Sequence, residues 1–393
     1  MDFQRLEEAK LKGSTALVRV DFNVPRDDKG NVTDDTRLKS ALPTLRRLQQ
    51  SGAKTILLSH FGRPKGEPDD ENSLEFIVPL LSKALGHEVG FAKDINPNIA
   101  KDMEEGDVVL LENTRFYAGE TKGNVALAKD MAAMGDLFIM DAFSAAHRDH
   151  ASSAGIAEFL PAYAGLAMER ELDHISQALD APKKPVMAIV GGAKVSTKID
   201  LLKNLVDRLD TLVIGGGMAN TFLFAQGYNV GVSLCEKDLK ETALEILSNA
   251  KKQNCDIILP VDLVVAKEFK AHADSRVCDL NGVEADEMVL DAGPDTVNAI
   301  MDVMDTSETL IWNGPLGAFE LPPFNTSTVE AAKYAAKLCK GDKIIAVAGG
   351  GDTVSALNQA GVSEDFTFIS TAGGAFLEWM EGKTLPGVEI LRK

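Results

Sequence analysis

Arginine and histidine side chains recur where predicted strands end in the first part of the chain. Guanidinium groups match the oxygens of phosphate and carboxylate groups in pairs, so such a set suits a small, highly anionic substrate. Any one of these residues could be a solvated loop side chain, but repetition at successive strand ends favours a binding site. The residues concerned are Asp21, Asn23, Arg37, His60, Arg63, Arg115, His147, Arg148 and His150.

Four glycine-rich turns follow predicted strands in the second part of the chain. They read GGAKVSTK, GGGMAN, AGGGDT and TAGGAF. Glycine lets the backbone approach a flat ligand closely, and the free N–H groups at a helix N-terminus attract anions. Together at one edge of one sheet, these turns favour a nucleotide site. A further segment, NGPLGAFE, adds Asn313 and Glu320 at the same edge.

Charged residues in these turns indicate the kind of nucleotide site. Lys194 and Lys198 are four residues apart, so they are expected on one face if a helix begins after the glycines. Asp352 would repel a polyphosphate unless a cation lay between them, and carboxylates commonly hold Mg²⁺ on substrate phosphates. Asp352 therefore predicts a magnesium–nucleotide complex. The standard signatures GxGxxG, GxxxxGK[ST] and HRD…DFG are missing from the sequence.

The elements that position these residues alternate between short apolar strands and amphipathic helices. This alternation predicts parallel sheets covered by helices on both faces, with ligands beyond the carboxyl ends of the strands. About ten strands are predicted, more than one simple sheet usually holds, so the chain is expected to form two α/β domains. The segment 156–179 is predicted as one long helix without a strand, and the domain boundary is placed there.

Composition limits the classes of partner. The 393 residues carry a net charge of −18, which argues against nucleic acid or anionic membrane as a ligand. The four cysteines form no CxxC pair, so neither a disulfide framework nor a zinc site is expected. The N-terminus is not signal-like and the apolar stretches are too short to span a bilayer, so a cytoplasmic location is expected.

Eight segments, taken in order, resemble the phosphoglycerate kinase family. They are RVDFNVP, LSHFGRPKG, LENTRF, AHRDHAS, GGAKVSTKI, IGGGMA, LIWNGPLGAFE and AVAGGGDT, and the resemblance extends from about Phe3 to the C-terminus. It implies an α/β fold of two Rossmann-like, three-layer (α/β/α) domains with parallel sheets, joined by a long helix and a hinge. Residues 1–170 would bind 3-phosphoglycerate and residues 171–379 the nucleotide, with 380–393 packing back on the first domain. A monomer is implied.

The resemblance also implies the reaction and its residues. The enzyme would transfer a phosphoryl group reversibly between 1,3-bisphosphoglycerate and Mg-ADP, giving 3-phosphoglycerate and ATP. Substrate binding is implied for Asp21, Phe22, Asn23, Arg37, His60, Phe61, Gly62, Arg63, Arg115 and Arg148. Nucleotide binding is implied for Lys198, Gly216, Asn313, Glu320, Gly350, Gly351, Asp352 and Thr353, with Asp352 holding the Mg²⁺.

The chemistry of this reaction needs little acid–base catalysis. A carboxylate acceptor has a pKa near 4 and is already ionised at neutral pH, so no general base is required. What remains is positioning and charge neutralisation. The expected catalytic residues are Arg37, Lys194, Lys198, Gly373 and Gly374.

Two positions depart from the family's usual pattern, and two other functions stay open. Ala372 stands where the family usually has glycine, and Asp149 follows Arg148 where a small or apolar residue is common. Alanine would cost about 1 kcal/mol if its position needed a positive φ, and Asp149 could pair with Arg148. The alternatives are an NAD-dependent dehydrogenase, against which the incomplete GxGxxG counts, and a nucleotide-binding scaffold without turnover.

Overall fold

The computed structural model describes residues 2–393. Contacts between Cα atoms divide the chain into two compact units. The first runs to Asp173 and includes Thr384–Lys393, and the second is His174–Lys383. Among the described residues, no helix is both long enough and apolar enough to cross a membrane.

The described residues form fifteen strands and twelve α-helices. The strands are β1 (Thr15–Arg19), β2 (Lys54–Leu58), β3 (Val89–Ala92), β4 (Val108–Leu111), β5 (Leu137–Met140), β6 (Ala162–Ala164), β7 (Val186–Val190), β8 (Thr211–Ile214), β9 (Asp256–Ile258), β10 (Asp262–Ala266), β11 (Ser275–Asp279), β12 (Met288–Ala292), β13 (Thr309–Asn313), β14 (Ile345–Gly349) and β15 (Phe368–Ser370). The helices are α1 (Thr36–Gln50), α2 (Val78–Leu85), α3 (Val125–Ala132), α4 (Leu166–Leu179), α5 (Ile199–Val206), α6 (Gly217–Ala225), α7 (Lys240–Lys252), α8 (Pro294–Thr306), α9 (Thr326–Lys340), α10 (Gly351–Ala360), α11 (Gly373–Met380) and α12 (Pro386–Glu389).

The first unit is built on a six-stranded sheet in the order β3-β4-β2-β1-β5-β6. Every pair in it is parallel. All five residues of β1 are buried, as expected for a strand covered on both faces. Helix α1 buries Leu38, Leu45 and Leu48 in the same core. The predicted polar residues follow the carboxyl ends of these strands, so the sheet places them at one edge.

The second unit has a parallel sheet in the order β15-β14-β13-β7-β8-β9. Strands β7 and β13 are buried throughout, and α9 packs alanines against them. A second sheet, β11-β10-β12, is antiparallel and was not predicted. Its edge strand reads SRVCD and is mostly exposed, so it lacks the apolar run expected of a strand. The predicted two α/β domains with parallel sheets are confirmed by this architecture.

The prediction of one continuous helix over 156–179 is wrong. Strand β6 lies inside that segment and pairs with β5, so that Ala164 lies opposite Met140. The α-helix begins only at Leu166. Pro161 has no N–H for a helix interior, and Gly165 favours a break before the helix. The chain passes from the first unit to the second within α4.

Candidate active site

The residues after β1 form the first part of the site in the first unit. Arg37, in the first turn of α1, donates from Nη1 to the main-chain carbonyl of Asn23 at 3.0 Å. The same nitrogen lies 3.0 Å from Asp21 Oδ2. Asp21 also accepts from the hydroxyl of Ser144 at 2.5 Å. About a third of the Arg37 side chain stays exposed (36%), so its remaining N–H groups can meet a ligand.

The loop after β2 is tied to this group through its backbone. Gly62 N–H donates to Asn23 Oδ1 at 2.9 Å, and Gly62 carbonyl accepts from Arg115 Nη1 at 2.7 Å. Gly62 has a φ of 58°, and a Cβ there would lie 1.9 Å from Asn72 Oδ1. Only glycine therefore fits between Asn23 and Arg115 without displacing a neighbour.

Phe22 and Phe61 are buried, so they shape the site through packing and main-chain contacts. Phe22 N–H donates to Ser59 Oγ at 2.9 Å, which joins the ends of β1 and β2. The ring of Phe61 meets that of Phe76 edge-on, with 5.0 Å between centroids. Both predicted residues thus lie at the site, beneath its surface.

A buried ionic group underlies the site. Arg19, at the end of β1, is 1% exposed. It donates from Nε to Ser152 Oγ and from Nη2 to His60 Nδ1, both at 3.0 Å. The Ser152 hydroxyl in turn donates to Glu120, whose other oxygen accepts from Ser152 N–H at 3.0 Å. Burial raises the pKa of Glu120, although the charge on Arg19 opposes that shift.

The arginines predicted for the first unit form a positive cluster. Burial lowers the pKa of Arg115, and the charges on Arg19, Arg63 and Arg148 lower it further. Arg63 and Arg148 are exposed, and within the described part of the chain neither forms an ion pair with an acidic side chain. His150 lies beside them, and burial together with the Arg19 charge lowers its pKa to about 4. The cluster is therefore open to an anion from outside.

Lys198 is held by main-chain and side-chain oxygens of the second unit. Its Nζ donates to the carbonyl of Gly191 and to Asn313 Oδ1, each at 2.6 Å. Burial lowers the pKa of Lys198 to about 8, against the opposing influence of Asp352. Asn313 is itself fixed by donation from Nδ2 to the carbonyl of Gly349 at 2.8 Å. Neutral oxygens hold the ammonium group, and a carboxylate lies near it.

Lys194 and Lys198 do not share a helix face, contrary to the sequence prediction. Lys194 is exposed and extended, with φ −136° and ψ 134°, and a single turn of 3₁₀-helix separates it from Lys198. Helix α5 begins only at Ile199. The partly buried contacts of Lys198 explain the difference, because Nζ must turn inward to reach Gly191 and Asn313.

Two glycine-rich helix N-termini meet near Lys198. Helices α10 and α11 begin at Gly351 and Gly373, and a Cβ on Gly373 would lie 3.7 Å from Gly350 Cα. Thr353 is buried and accepts from Gly314 N–H through Oγ1 at 2.7 Å. Asp352 is exposed in the first turn of α10. Gly374 is the next residue of α11, so N–H groups from both helices are available to an anion.

A cavity of about 440 Å³ adjoins these turns. Gly216, Glu320 and Asp352 were predicted for the site and line it. Gly216 has a φ of 66°, and a Cβ there would lie 2.8 Å from the carbonyl oxygen of Gly192. The remaining wall is largely apolar. Lining residues that the sequence did not single out include Leu234, Pro260, Phe269, Met288, Leu290 and Asp291.

Neither departure from the family pattern disturbs this geometry. Ala372 has a φ of −100°, so its position does not require glycine. No ion pair joins Arg148 to Asp149 in the described part of the chain, so Asp149 does not neutralise the arginine. No group of three or more His, Cys, Asp or Glu side chains able to hold a metal occurs among the described residues. A magnesium ion at Asp352 would need oxygens of the nucleotide as its other ligands.

Sequence reasoning missed Arg19 and the apolar wall of the cavity. Arg19 lies inside the run ALVRV, and a charge within a fully buried strand was the signal that could have found it. Leu234 and Phe269 come from loops far apart in the chain, and both are exposed. Exposed large apolar side chains beside a cavity become visible only in three dimensions.

Comparisons with known proteins agree along the whole chain. The family model described as phosphoglycerate kinase matches residues 6–383. The phosphoglycerate kinase of Caulobacter vibrioides (strain NA1000 / CB15N) is 59% identical, covering 100% of both chains. That of Maricaulis maris (strain MCS10) is 58% identical, covering 98% of this chain and 97% of the relative.

Solved structures of the same family have the same fold. Phosphoglycerate kinase from Coxiella burnetii superposes with a TM-score of 0.94 at 41% identity, covering 99% of this chain and 98% of that one. The enzyme from Pyrococcus horikoshii OT3 superposes with a TM-score of 0.79 at 30% identity, with the same coverage of both chains. Because family model, sequence relatives and structures all extend over essentially the full length, this chain belongs to the phosphoglycerate kinase family.

Proposed function

We propose that the residues described above carry out the reaction of this family, phosphoryl transfer between ATP and the carboxylate of 3-phosphoglycerate. A carboxylate oxygen attacks the γ-phosphorus as the bond to the β–γ bridging oxygen breaks, giving the acyl phosphate and ADP; the reverse step makes ATP. The observation that carries the residue assignment is the cluster of Arg63, Arg115 and Arg148, which form no ion pairs with acidic side chains among the described residues. Such a cluster suits an acceptor bearing phosphate and carboxylate groups.

The first unit supplies the acceptor site in this proposal. Arg63, Arg115 and Arg148 bind the phosphate, with His60 as a further donor. Arg37 orients the carboxylate and stabilises the equatorial oxygens of the moving phosphoryl group. Asp21 and Asn23 hold Arg37 in place and offer oxygens to the substrate hydroxyl.

The second unit supplies the nucleotide site. The apolar cavity takes the base, Gly216 lets the backbone approach it, and Glu320 at the cavity accepts from a ribose hydroxyl. Lys198 and the exposed Lys194 neutralise the phosphates. N–H groups at the starts of α10 and α11 complete the anion site; they belong to Gly350, Gly351, Thr353, Gly373 and Gly374.

Asp352 is the proposed magnesium ligand. It is exposed beside two helix N-termini, and one carboxylate with substrate phosphates is the ligand set that Mg²⁺ ordinarily takes. The bound ion would neutralise charge on the β- and γ-phosphates. Bound phosphates would favour the protonated form of Lys198 against the effect of burial.

The proposal requires no general base. The attacking carboxylate is ionised at neutral pH, and the arginines lower its pKa further. The neighbouring His60 and His150 have lowered pKa values because of burial and the Arg19 charge. Both are therefore neutral near pH 7 and suited to hydrogen bonding. The hinge motion expected to bring donor and acceptor together stays a prediction.

Arg37→Ala tests the assignment. The expected result is a loss of about 10²-fold or more in kcat, because a donor to the transition state is removed. ADP affinity should stay within twofold, since the nucleotide residues lie in the other unit. Turnover is followed with 3-phosphoglycerate and Mg-ATP, the acyl phosphate being consumed by a coupled dehydrogenase with NADH.

Lys39→Ala is the matched control on the same helix. Lys39 is exposed, and its only ion pair among the described residues is with Asp35 at 2.8 Å, a surface contact of small energetic value. It should leave kcat and both KM values unchanged. An Arg37→Ala enzyme with parental kcat would contradict the role assigned to Arg37.

A cytoplasmic monomer completes the proposal. All four cysteines are free, which suits a reducing compartment. Light scattering at increasing protein concentration tests the monomeric state, and a mass that doubles within the range would contradict it.

A further inference from the structure

Arg19 makes contacts that restrict the protonation of His60. The guanidinium is 1% exposed and donates to three acceptors: the Val20 carbonyl at 2.5 Å, Ser152 Oγ at 3.0 Å and His60 Nδ1 at 3.0 Å. A guanidinium has only donors, so the nitrogen facing it must accept. His60 Nδ1 therefore carries a lone pair, and the ring proton is on Nε2.

A second proton on His60 is disfavoured by its surroundings. A proton on Nδ1 would point at an N–H of Arg19, leaving two donors facing each other. Besides Arg19, the charged or titratable groups with the largest influence on the ring are Arg115, Arg37 and His150, and each of them disfavours a second proton. Burial and these neighbours lower the pKa of His60 well below its usual value.

The charge on Arg19 is itself anchored away from the ligand site. Ser152 links it to Glu120, which is 0% exposed and accepts from both the N–H and the hydroxyl of Ser152. Glu120 is thus a counter-charge to the Arg19 guanidinium that acts through Ser152 and does not contact it directly. It allows Arg19 to remain buried and charged without offering its carboxylate to His60.

We propose that Arg19 is a positioning residue that fixes His60 in the neutral Nε2–H tautomer. His60 then presents a hydrogen-bond donor, and never an acceptor, to an anionic oxygen of 3-phosphoglycerate at neutral pH. The tautomer follows from the Arg19 contact alone. The identity of the bound oxygen rests on the proposed function, so the two parts are tested separately.

The first test uses the full-length, ligand-free protein with ¹⁵N-labelled histidine. Two-bond ¹H–¹⁵N correlation spectra from pH 5.5 to 8 should show His60 neutral, protonated on Nε2 throughout the range. The exposed His87 provides the reference for an accessible ring in the same spectra. A His60 signal protonated on Nδ1, or an imidazolium above pH 6, would overturn the proposal whether or not the protein turns over 3-phosphoglycerate.

The second test distinguishes loss of the Arg19–His60 contact from a general disturbance of the buried group formed by Arg19, Ser152 and Glu120. Arg19→Gln removes the obligate donor, whereas the matched control Ser152→Ala disturbs the same group but keeps Arg19 beside His60. In Arg19→Gln, the KM for 3-phosphoglycerate divided by the parental KM should fall severalfold from pH 8 to pH 6, as His60 gains a proton and a positive charge. The ratio also cancels titration of the substrate phosphate. For Ser152→Ala it should stay constant, and equal profiles for both variants would refute the role of Arg19.

A third pair of variants tests the donor itself and needs no change at Arg19. His60→Gln places an amide N–H near the position of Nε2, whereas His60→Ala removes the donor. The KM for 3-phosphoglycerate should rise about tenfold or more in His60→Ala, the effect of losing a hydrogen bond to a charged group. It should rise much less in His60→Gln. Equal KM values for the two variants would show that His60 donates nothing to the substrate.

Discussion

Replacing Gly350 with alanine should weaken nucleotide binding by displacing Asn313. Gly350 has φ 98° and ψ 138°, a region that residues with side chains rarely adopt. A Cβ there would lie 2.8 Å from Asn313 Nδ2. Because Asn313 Oδ1 holds Lys198 Nζ at 2.6 Å, the displacement passes to the lysine assigned to the phosphates.

The magnitude has two separable parts. Backbone strain at Gly350 costs about 1–3 kcal/mol of stability. Loss of a hydrogen bond to a charged group costs about 1.5–3 kcal/mol, equivalent to about 10–100-fold in nucleotide affinity. Gly361→Ala introduces the backbone strain without the contact with Asn313. Gly361 ends the same helix α10 with φ 70°, and a Cβ there would meet no neighbouring atom within 4 Å.

Nucleotide affinity is measured by calorimetric titration with ADP and by the KM for Mg-ATP. The loss of stability is measured by urea unfolding. Both variants should lose free energy of unfolding, but only Gly350→Ala should lose nucleotide affinity, with Gly361→Ala within twofold of the parent. If Gly350→Ala binds ADP as tightly as Gly361→Ala does, the Asn313–Lys198 contact does not govern phosphate binding.

Three further substitutions test the cavity, a buried carboxyl and the family departure. Asp291→Asn should raise KM for ATP about tenfold, because Asp291 lines the cavity and accepts from Ser327 N–H at 3.0 Å at the start of α9. Asp262→Asn is the control, because Asp262 accepts from Thr296 N–H in the first turn of α8 but does not line the cavity. Equal KM values for the two variants would contradict the role of Asp291. Burial raises the pKa of Asp141 to about 7. The contribution of the protonated carboxyl group to the free energy of unfolding is therefore fully present at acid pH, below the pKa of the unfolded chain, and is lost as the pH rises through 7. Between pH 5 and pH 8, the free energy of unfolding of Asp141→Asn in urea should therefore rise by about 1–4 kcal/mol relative to that of the parent. A difference between variant and parent that does not change with pH would argue against this. Ala372→Gly should leave kcat and KM unchanged because φ is −100°; a faster enzyme would show that the alanine impairs turnover.

The alternation of strands and helices was enough to predict both parallel sheets, and the structure confirms them. Prediction failed where tertiary contacts decide the local structure. Strand β6 is only three residues long and forms because β5 offers a free edge, which no periodicity in the segment reveals. Strand β11 is polar and exposed, so its pairing with β10 is the only thing that makes it a strand.

The candidate site likewise contains residues that could be predicted from the sequence and others that could not. Residues that follow buried strands, such as Asp21 and Asn313, could be predicted because parallel strands bring their carboxyl ends to one edge. The conformation of Lys198 could not be predicted, since its Nζ is drawn inward by three carbonyl-type oxygens of Gly191 and Asn313 and not by helix spacing. Arg19 is hard to predict because charge inside a strand ordinarily argues against burial. Its burial is made tolerable by acceptors brought together in the fold: Ser152 with Glu120 behind it, the Val20 carbonyl and His60.

A chain of net charge −18 that is to bind phosphates cannot rely on long-range attraction. The structure places the attraction at short range, on cations that form no ion pair with a carboxylate in the described part of the chain; Arg37, which pairs with Asp21 at 3.0 Å, is the exception among those assigned to the sites. Arg63 and Arg148 form no ion pair in the described residues, and Lys198 is held by neutral oxygens. A cation held by neutral acceptors keeps its charge available to an anion, at the cost of a lowered pKa, as for Lys198 at about 8. The negative charge of a bound phosphate would reverse that lowering, so ligand binding and protonation of the site favour each other.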